Sequence, residues 1–316
     1  MSQPAAPAAA TTPAAPLPSA VLAGFDGSDR ARDGLALAAL LARVSGAQLT
    51  AVSAYRFQPA HREGDDEIEA LLESDARERL VRAAELVTDP APQLQTVAGH
   101  SVPEALQRLG EATPGAWLVL GSSRSGALGR VVVGSVPERV LHAAPCPIAI
   151  APNGYADGLR RQTLRTIGVG FDGGPEARAA LDAAAELARA AGARLEVITI
   201  FNPHISWATP RLAAELEYAA YLAEGRDALG RRQQAAVATL RDVHATAVAL
   251  EGDEAEALTR RSDQLDLLVL GSRCYGPLRR VLLGSVSTEL VRHAGCPLLV
   301  LPRSAAADDA GGDGTL

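Results

Sequence analysis

The chain repeats itself. Gly121-Ser122-Ser123-Arg124-Ser125-Gly126 returns as Gly271-Ser272-Arg273-Cys274-Tyr275-Gly276, and Gly134-Ser135-Val136 returns as Gly284-Ser285-Val286, both at one offset of 150 residues. A constant register over two separated motifs means an internal duplication, so the fold must be one that can be built twice within 316 residues. At about 150 residues per domain the length gives the same two units, each large enough for its own core. Gly24-Phe25-Asp26-Gly27 also returns as Gly170-Phe171-Asp172-Gly173 at an offset of 146, so a few inserted residues separate the two registers.

Within each unit, short apolar runs alternate with helical patterns, the order of a parallel α/β sheet. In the first copy the predicted strands are Ala20 to Phe25, Gln48 to Tyr55, Leu94 to Ala98, Ala116 to Leu120 and Pro147 to Ala151. In the second they are the segment holding Gly168 and Gly170, then Arg194 to Phe201, Ala245 to Leu250, Leu265 to Leu270 and Pro297 to Leu301. Ser28 is placed to cap a helix that carries Leu37, Leu40, Leu41 and Val44 at helical spacing. The helix after Asp172 should turn Leu181, Ala184, Ala185 and Ala188 inward and Asp182, Glu186 and Arg189 outward. The acidic run from Glu63 to Glu73 reads as the solvated face of a long helix. A second long helix within Trp207 to His244 is expected to break or bend near Gly225 or Gly230, with Tyr218 and Tyr221 on an apolar face.

The run Leu267-Leu268-Val269-Leu270 suits a strand buried on both faces, and Gly271 marks its end. A basic loop with Arg273, Arg279 and Arg280 leads to Ser285, which can cap the next helix and leave first-turn N–H groups for an anion. The arginines suit phosphate, or simply keep a surface loop solvated. In the first copy the loop cations are Arg124 and Arg130, and Ser135-Val136-Pro137-Glu138 spells a capping box, as does Ser101-Val102-Pro103-Glu104. Asp26 lies at the sheet edge where open parallel sheets take ligands, and it serves equally as the turn residue before Gly27.

These residues resemble the universal stress protein family in its tandem form, whose nucleotide-binding members carry a glycine, two residues, a glycine, nine residues, and then glycine with serine or threonine. Gly121 with Gly134-Ser135, and Gly271 with Gly284-Ser285, fit the first and last elements; Arg124 and Cys274 stand at the middle glycine. The resemblance covers about residues 20–151 and 165–302, with a linker over 152–164 whose Asn153-Gly154 and Asp157-Gly158 are turn chemistry. It implies an α/β fold of two tandem, doubly wound, five-stranded parallel sheets in strand order 3-2-1-4-5. Their fifth strands would pair within one chain, and a homodimer of the whole is a further option.

The resemblance further implies a non-enzymatic stress-response protein that binds adenine nucleotide, ATP with Mg, in one or both copies. The phosphates would lie at Gly121, Gly134, Ser135 and Val136, and at Gly271, Arg273, Gly284, Ser285 and Val286. The ribose would lie at Asp26 or Asp172, and the base against the backbone of Ala54 or Ile200. With three loop arginines, the second copy is expected to bind at least as well as the first. The substituted middle glycine keeps a second reading open, an interaction module of the same fold that takes no nucleotide. A slow ATPase is a third, for which no catalytic residue presents itself.

Composition and missing motifs narrow the rest. A formal net charge of −7, no block of Lys and Arg, and 3% aromatic residues speak against a nucleic-acid partner. No apolar run is long enough to span a membrane. Gly168-Val169-Gly170-Phe171-Asp172-Gly173 matches a dinucleotide fingerprint, but its glycines fall inside the strand rather than after it. There is no G-x-x-x-x-G-K-[ST] loop, H-E-x-x-H or G-x-S-x-G, and no cysteine cluster for a metal. Cys146 and Cys296 hold equivalent places before proline and read as buried reduced thiols of a cytoplasmic protein, while Cys274 lies in the basic loop. Residues 1–19 and 303–316 read as flexible tails.

Overall fold

A computed structural model of the chain describes residues 17–59, 64–122, 130–131, 134–142, 145–158, 163–203, 215–272 and 285–302. The first copy contains β1 (Ala20–Gly24), α1 (Asp29–Ser45), β2 (Gln48–Arg56), α2 (Asp65–Leu86), β3 (Gln93–Gly99), α3 (Val102–Ala112), β4 (Ala116–Gly121), α4 (Ser135–Leu141) and β5 (Ile148–Ala151). One 3-10 turn, Tyr155–Asp157, lies in the linker. The second copy contains β6 (Thr166–Gly170), α5 (Pro175–Ala191), β7 (Arg194–Phe201), α6 (Glu215–Thr239), β8 (Ala245–Glu251), α7 (Glu254–Ser262), β9 (Leu267–Gly271), α8 (Ser285–His293) and β10 (Leu298–Leu301).

All ten strands form one sheet in the order β3-β2-β1-β4-β5-β10-β9-β6-β7-β8, so each copy has the order 3-2-1-4-5. Pairing is parallel throughout except at the junction, where β5 and β10 run antiparallel with Leu298 opposite Ile150 and Val300 opposite Ile148. The apolar edge of each copy thus covers the edge of the other, leaving β3 and β8 as the outer strands. Along this seam the side chains alternate between two cores. Ile148, Ile150, Leu298 and Val300 join the core beneath α3, α4, α7 and α8; Ala149, Ala151, Leu299 and Leu301 join the core beneath α1, α2, α5 and α6. Both cores run across both copies, and the sheet is doubly wound.

The helix ends follow from sequence. Ser28 caps α1 by accepting from the Ala31 N–H, and Gly46 ends it in the left-handed conformation, where glycine carries no Cβ penalty. Gly192 ends α5 in the same way. At α3 the Ser101 hydroxyl accepts from the Glu104 N–H, but the Glu104 carboxylate reaches back to the His100 N–H, one residue before the cap. The inward face of α5 holds all four expected residues and also Ala183 and Leu187, because α1 packs against the helix from the side.

Two expectations need correction. The second long helix, α6, runs unbroken through Gly225 and Gly230, since an exposed helix tolerates glycine at about 1 kcal/mol each. On it Tyr221 is 59% exposed rather than on a packed face, and the surroundings of Tyr218 lie outside the described residues. Order also begins before Ala20: Leu17 packs against the core, and Ser19 bonds Gly115 through its N–H and Pro114 through its hydroxyl.

Candidate nucleotide site

A cleft of about 360 Å³ opens at the carboxyl ends of β1, β2 and β4 in the first copy. Its position is dictated by topology, because β1 is flanked by β2 on one side and β4 on the other, and the connections leave in opposite directions. Val52, Val102, Leu106 and Leu120 give it apolar walls. Its polar rim is Asp26, Ser28 and Arg30 at the start of α1, Arg79 from α2, Ser122 after β4, and Gly134 with Ser135 at the start of α4. The six residues expected here, Asp26, Ala54, Gly121, Gly134, Ser135 and Val136, all line this one cleft.

Their local chemistry departs from expectation in two places. The capping box at Ser135 does not form: Gly134 is the N-cap, α4 begins at Ser135, and there is no side-chain cap. With Ser135 in the helix, the Glu138 N–H bonds to the Gly134 carbonyl instead, and the Ser135 hydroxyl stands exposed at the cleft. Gly121 has a structural duty. A Cβ there would lie 1.8 Å from the Arg30 carbonyl oxygen, so glycine is what lets α1 sit on the end of β4.

Asp26 makes the turn that its sequence position suggests. Its Oδ1 accepts from the Ser28 N–H at 3.0 Å and from the Ser28 hydroxyl, which fixes the start of α1. Arg79 is paired with Asp75 on its own helix. Two buried polar atoms at the cleft have no hydrogen-bond partner: Nε of Arg30, and Oγ of Ser122, whose residue is only 2% exposed. An unpartnered buried polar atom is costly, and a polar ligand that reached these two lining residues would supply the missing partners.

Arg130, expected as a loop cation of this site, is committed elsewhere. Its guanidinium pairs with Asp263 at 2.7 Å and donates to the His293 carbonyl, both in the second copy. Beside it the Val131 N–H bonds to the Ala294 carbonyl. Residues 130 and 131 are therefore tied across the junction, where the Arg130 charge meets a carboxylate of the other copy. Arg124 lies outside the described residues.

The second copy repeats part of this arrangement. Asp172 Oδ1 accepts from the Gly174 N–H at 2.8 Å, Ile200 lies in β7, and Gly271 ends β9 where a Cβ would stand 2.5 Å from the Glu176 carbonyl oxygen. Ser272 has the same buried, unpartnered hydroxyl as Ser122. Ser285 and Val286 begin α8. Arg273 and Gly284 lie outside the described residues, as do Cys274, Arg279 and Arg280.

The sequence pattern of the universal stress protein family matches residues 19–152 and again residues 163–302. The chain belongs to that family. A universal stress protein of Mycobacterium tuberculosis is 32% identical over 209 residues, covering 65% of this chain and 70% of that protein. Among solved structures, a universal stress protein from Archaeoglobus fulgidus overlays with a TM-score of 0.63 at 19% identity, covering 90% of this chain and 99% of its own. A putative universal stress protein from Pseudomonas aeruginosa overlays at 0.57 and 17% identity, covering 90% and 93%. These structural likenesses concern the fold of the tandem universal stress protein as a whole.

Sequence reasoning missed Arg30 and Ser122. Ser122 carried a usable signal, since it follows Gly121 as Ser272 follows Gly271. Arg30 carried none, because Glu176 holds the corresponding place in the second copy.

Proposed function

We propose that this universal stress protein binds an adenine nucleotide without turning it over, and that occupancy of the cleft sets a conformational state read by a partner in a stress response. The observation that carries the reading is the cleft at the carboxyl edge of the first copy, with apolar walls for a base and two buried polar atoms lacking partners. Asp26 at one rim is suited to a ribose hydroxyl through its second oxygen. Arg30, Ser122 and Ser135 are donors suited to phosphate, and the backbone at Ala54 to the base edge. When bound, ATP would bring its own Mg, held by phosphates and water rather than by a protein cage. Residues Asp172, Ile200, Gly271, Arg273, Gly284, Ser285 and Val286 are the corresponding proposal for the second copy.

Among the described residues that line the cleft there is no histidine, cysteine or lysine, and Oδ1 of its one carboxylate, Asp26, is engaged in a turn, which supports binding over hydrolysis. Among the described residues no helix is long and apolar enough to cross a membrane. The buried cysteines Cys146 and Cys296, neither of them in a disulfide, accord with a reducing cytoplasm, and a homodimer of the tandem chain belongs to the same proposal.

Nucleotide analysis of the denatured purified protein, with isothermal titration by ATP, tests the reading. A co-purifying or titrating adenine nucleotide at one or two per chain is the expected result. A folded chain with neither would leave the nucleotide-free interaction module, which the side chains at Arg124 and Cys274 favour.

A further inference from the structure

We propose that the two copies are unequal anion sites, and that Arg30 makes the first copy the one that takes the phosphate chain of the ligand. This rests on the nucleotide reading above and adds to it which copy binds and which residue decides.

The two copies meet the same backbone geometry at this point with opposite charges. A Cβ on Gly121 would strike the Arg30 carbonyl oxygen, and a Cβ on Gly271 would strike the Glu176 carbonyl oxygen. Arg30 and Glu176 therefore hold the same place, in the first turn of the helix that covers the end of the fourth strand. In the first copy that place lines the cleft with a guanidinium whose Nε is buried and unpartnered. Ser122 adds a hydroxyl in the same condition. Anionic oxygens bound at these two residues would offer each of the two donors an acceptor. In the second copy the hydroxyl is retained as Ser272, but the guanidinium is replaced by a carboxylate, which repels an anion instead of donating to it.

The other described cations near the first cleft are already engaged. Arg79 is paired with Asp75, and Arg130 with Asp263 of the other copy. That leaves Arg30 as the described guanidinium at the cleft without a carboxylate partner. The proposal sets Arg30 and Glu176 against the loop arginines of the second copy, whose number alone would favour the opposite ranking.

Isothermal titration of the full chain with ATP, on the parent, Arg30→Gln, Arg30→Lys and Glu176→Gln, decides between them. Loss of one charge-assisted donor set corresponds to about tenfold or more in affinity. Arg30→Gln should therefore weaken the tightest binding event at least tenfold, with Arg30→Lys intermediate and a shallower salt dependence for Arg30→Gln than for the parent. Glu176→Gln should leave that event unchanged and strengthen or reveal a second one. Circular dichroism checks that each variant is folded, and if Arg30→Gln is not, Arg30→Lys carries the test because it keeps the stem. ATP binding by the parent that Arg30→Gln and Arg30→Lys leave untouched, or that Glu176→Gln abolishes, would overturn the inference while leaving the nucleotide reading intact. A parent that takes up no ATP would overturn both.

Discussion

Asp33 offers the sharpest test of how the linker is held. It lies on α1, is 3% exposed, and accepts from the Gly154 N–H at 2.8 Å and the Ala156 N–H at 2.6 Å, so the turn that leads out of the first copy is latched to that helix by one carboxylate. Arg32 pairs with Asp157 beside it. Asp33→Ala removes both bonds, and the freed N–H groups are half-buried and can turn to water. Taking about 1 kcal/mol net for each bond gives roughly 2 kcal/mol. At 2–4 °C per kcal/mol for domains above about 150 residues, the melting temperature should fall by about 4–8 °C. Asp33→Asn should cost nearly as much, because an amide offers one acceptor and would set its own NH2 against the second N–H.

The pH dependence has a definite sign. Burial raises the Asp33 pKa above the usual carboxylate value, outweighing the two backbone donors that lower it. A folded-state pKa above the unfolded one contributes stability that is complete below the unfolded value and is lost as pH rises through the folded value. The gap between parent and Asp33→Ala should therefore narrow from acid toward neutral pH. Urea midpoints measured between about pH 3 and pH 7 check this, with limited proteolysis reporting on the linker. A melting temperature unchanged within a degree, or a gap that widens as pH rises, would refute the reasoning.

Four further outcomes follow from the structure. Ser122→Ala removes a buried hydroxyl with no partner, so thermal melts of the ligand-free protein should show equal or slightly higher stability, while titration shows ATP affinity reduced several-fold. A double-mutant cycle on Arg130→Ala and Asp263→Ala should give a coupling of about 0.5–1 kcal/mol by urea denaturation, modest because the side chains are 38% and 48% exposed. Gly121→Ala should unfold or strongly destabilise the chain in calorimetry whether or not nucleotide is present, because its Cβ meets backbone rather than ligand. Deleting residues 1–16 and 303–316 should leave the melting temperature within about 2 °C of the parent, since neither segment carries a periodic apolar face to bury.

The fold was legible because its signals are local and are written twice. Unalternated runs such as Leu267 to Leu270, the Ser28 cap and the junction strands at Ile148 and Leu298 each needed only a short window of sequence. What could not be read were features created by contact between distant segments. Ser135 looked like a cap in its own window, yet the chain places Gly134 at that position, and the hydroxyl faces the cleft. Arg130 looked like a phosphate cation until the antiparallel junction brought Asp263 beside it. The Asp33 latch spans 121 residues to Gly154, and no spacing in the sequence announces it.

Comparison of the copies with each other separates what the fold demands from what this chain has added. Both copies retain the left-handed glycine that ends the first helix, at Gly46 and Gly192, and the aspartate turn at Asp26 and Asp172. Both retain the glycine under the helix backbone and the unpartnered serine after it. The glycines and the aspartate turn recur because the geometry recurs, at places where a strand of this sheet meets its helix, whereas the serine hydroxyl has no structural partner in either copy. The differences lie in charged side chains at matched places. Arg30 faces the cleft where Glu176 stands in the other copy, Asp33 holds the linker where the second copy has Ala179, and Asp263 receives Arg130 where the first copy has Thr113. Arg30 and Asp263 lie outside the two apolar cores, and the buried Asp33 is compensated by two backbone donors from the linker. Two of the three, Asp33 and Asp263, bind the first copy to the linker and to its neighbour, and the third alters the charge of a cleft. Arg30 at the cleft and Asp33 at the linker lie three residues apart at the start of α1, so one helix end carries both the altered charge of the cleft and the hold on the linker.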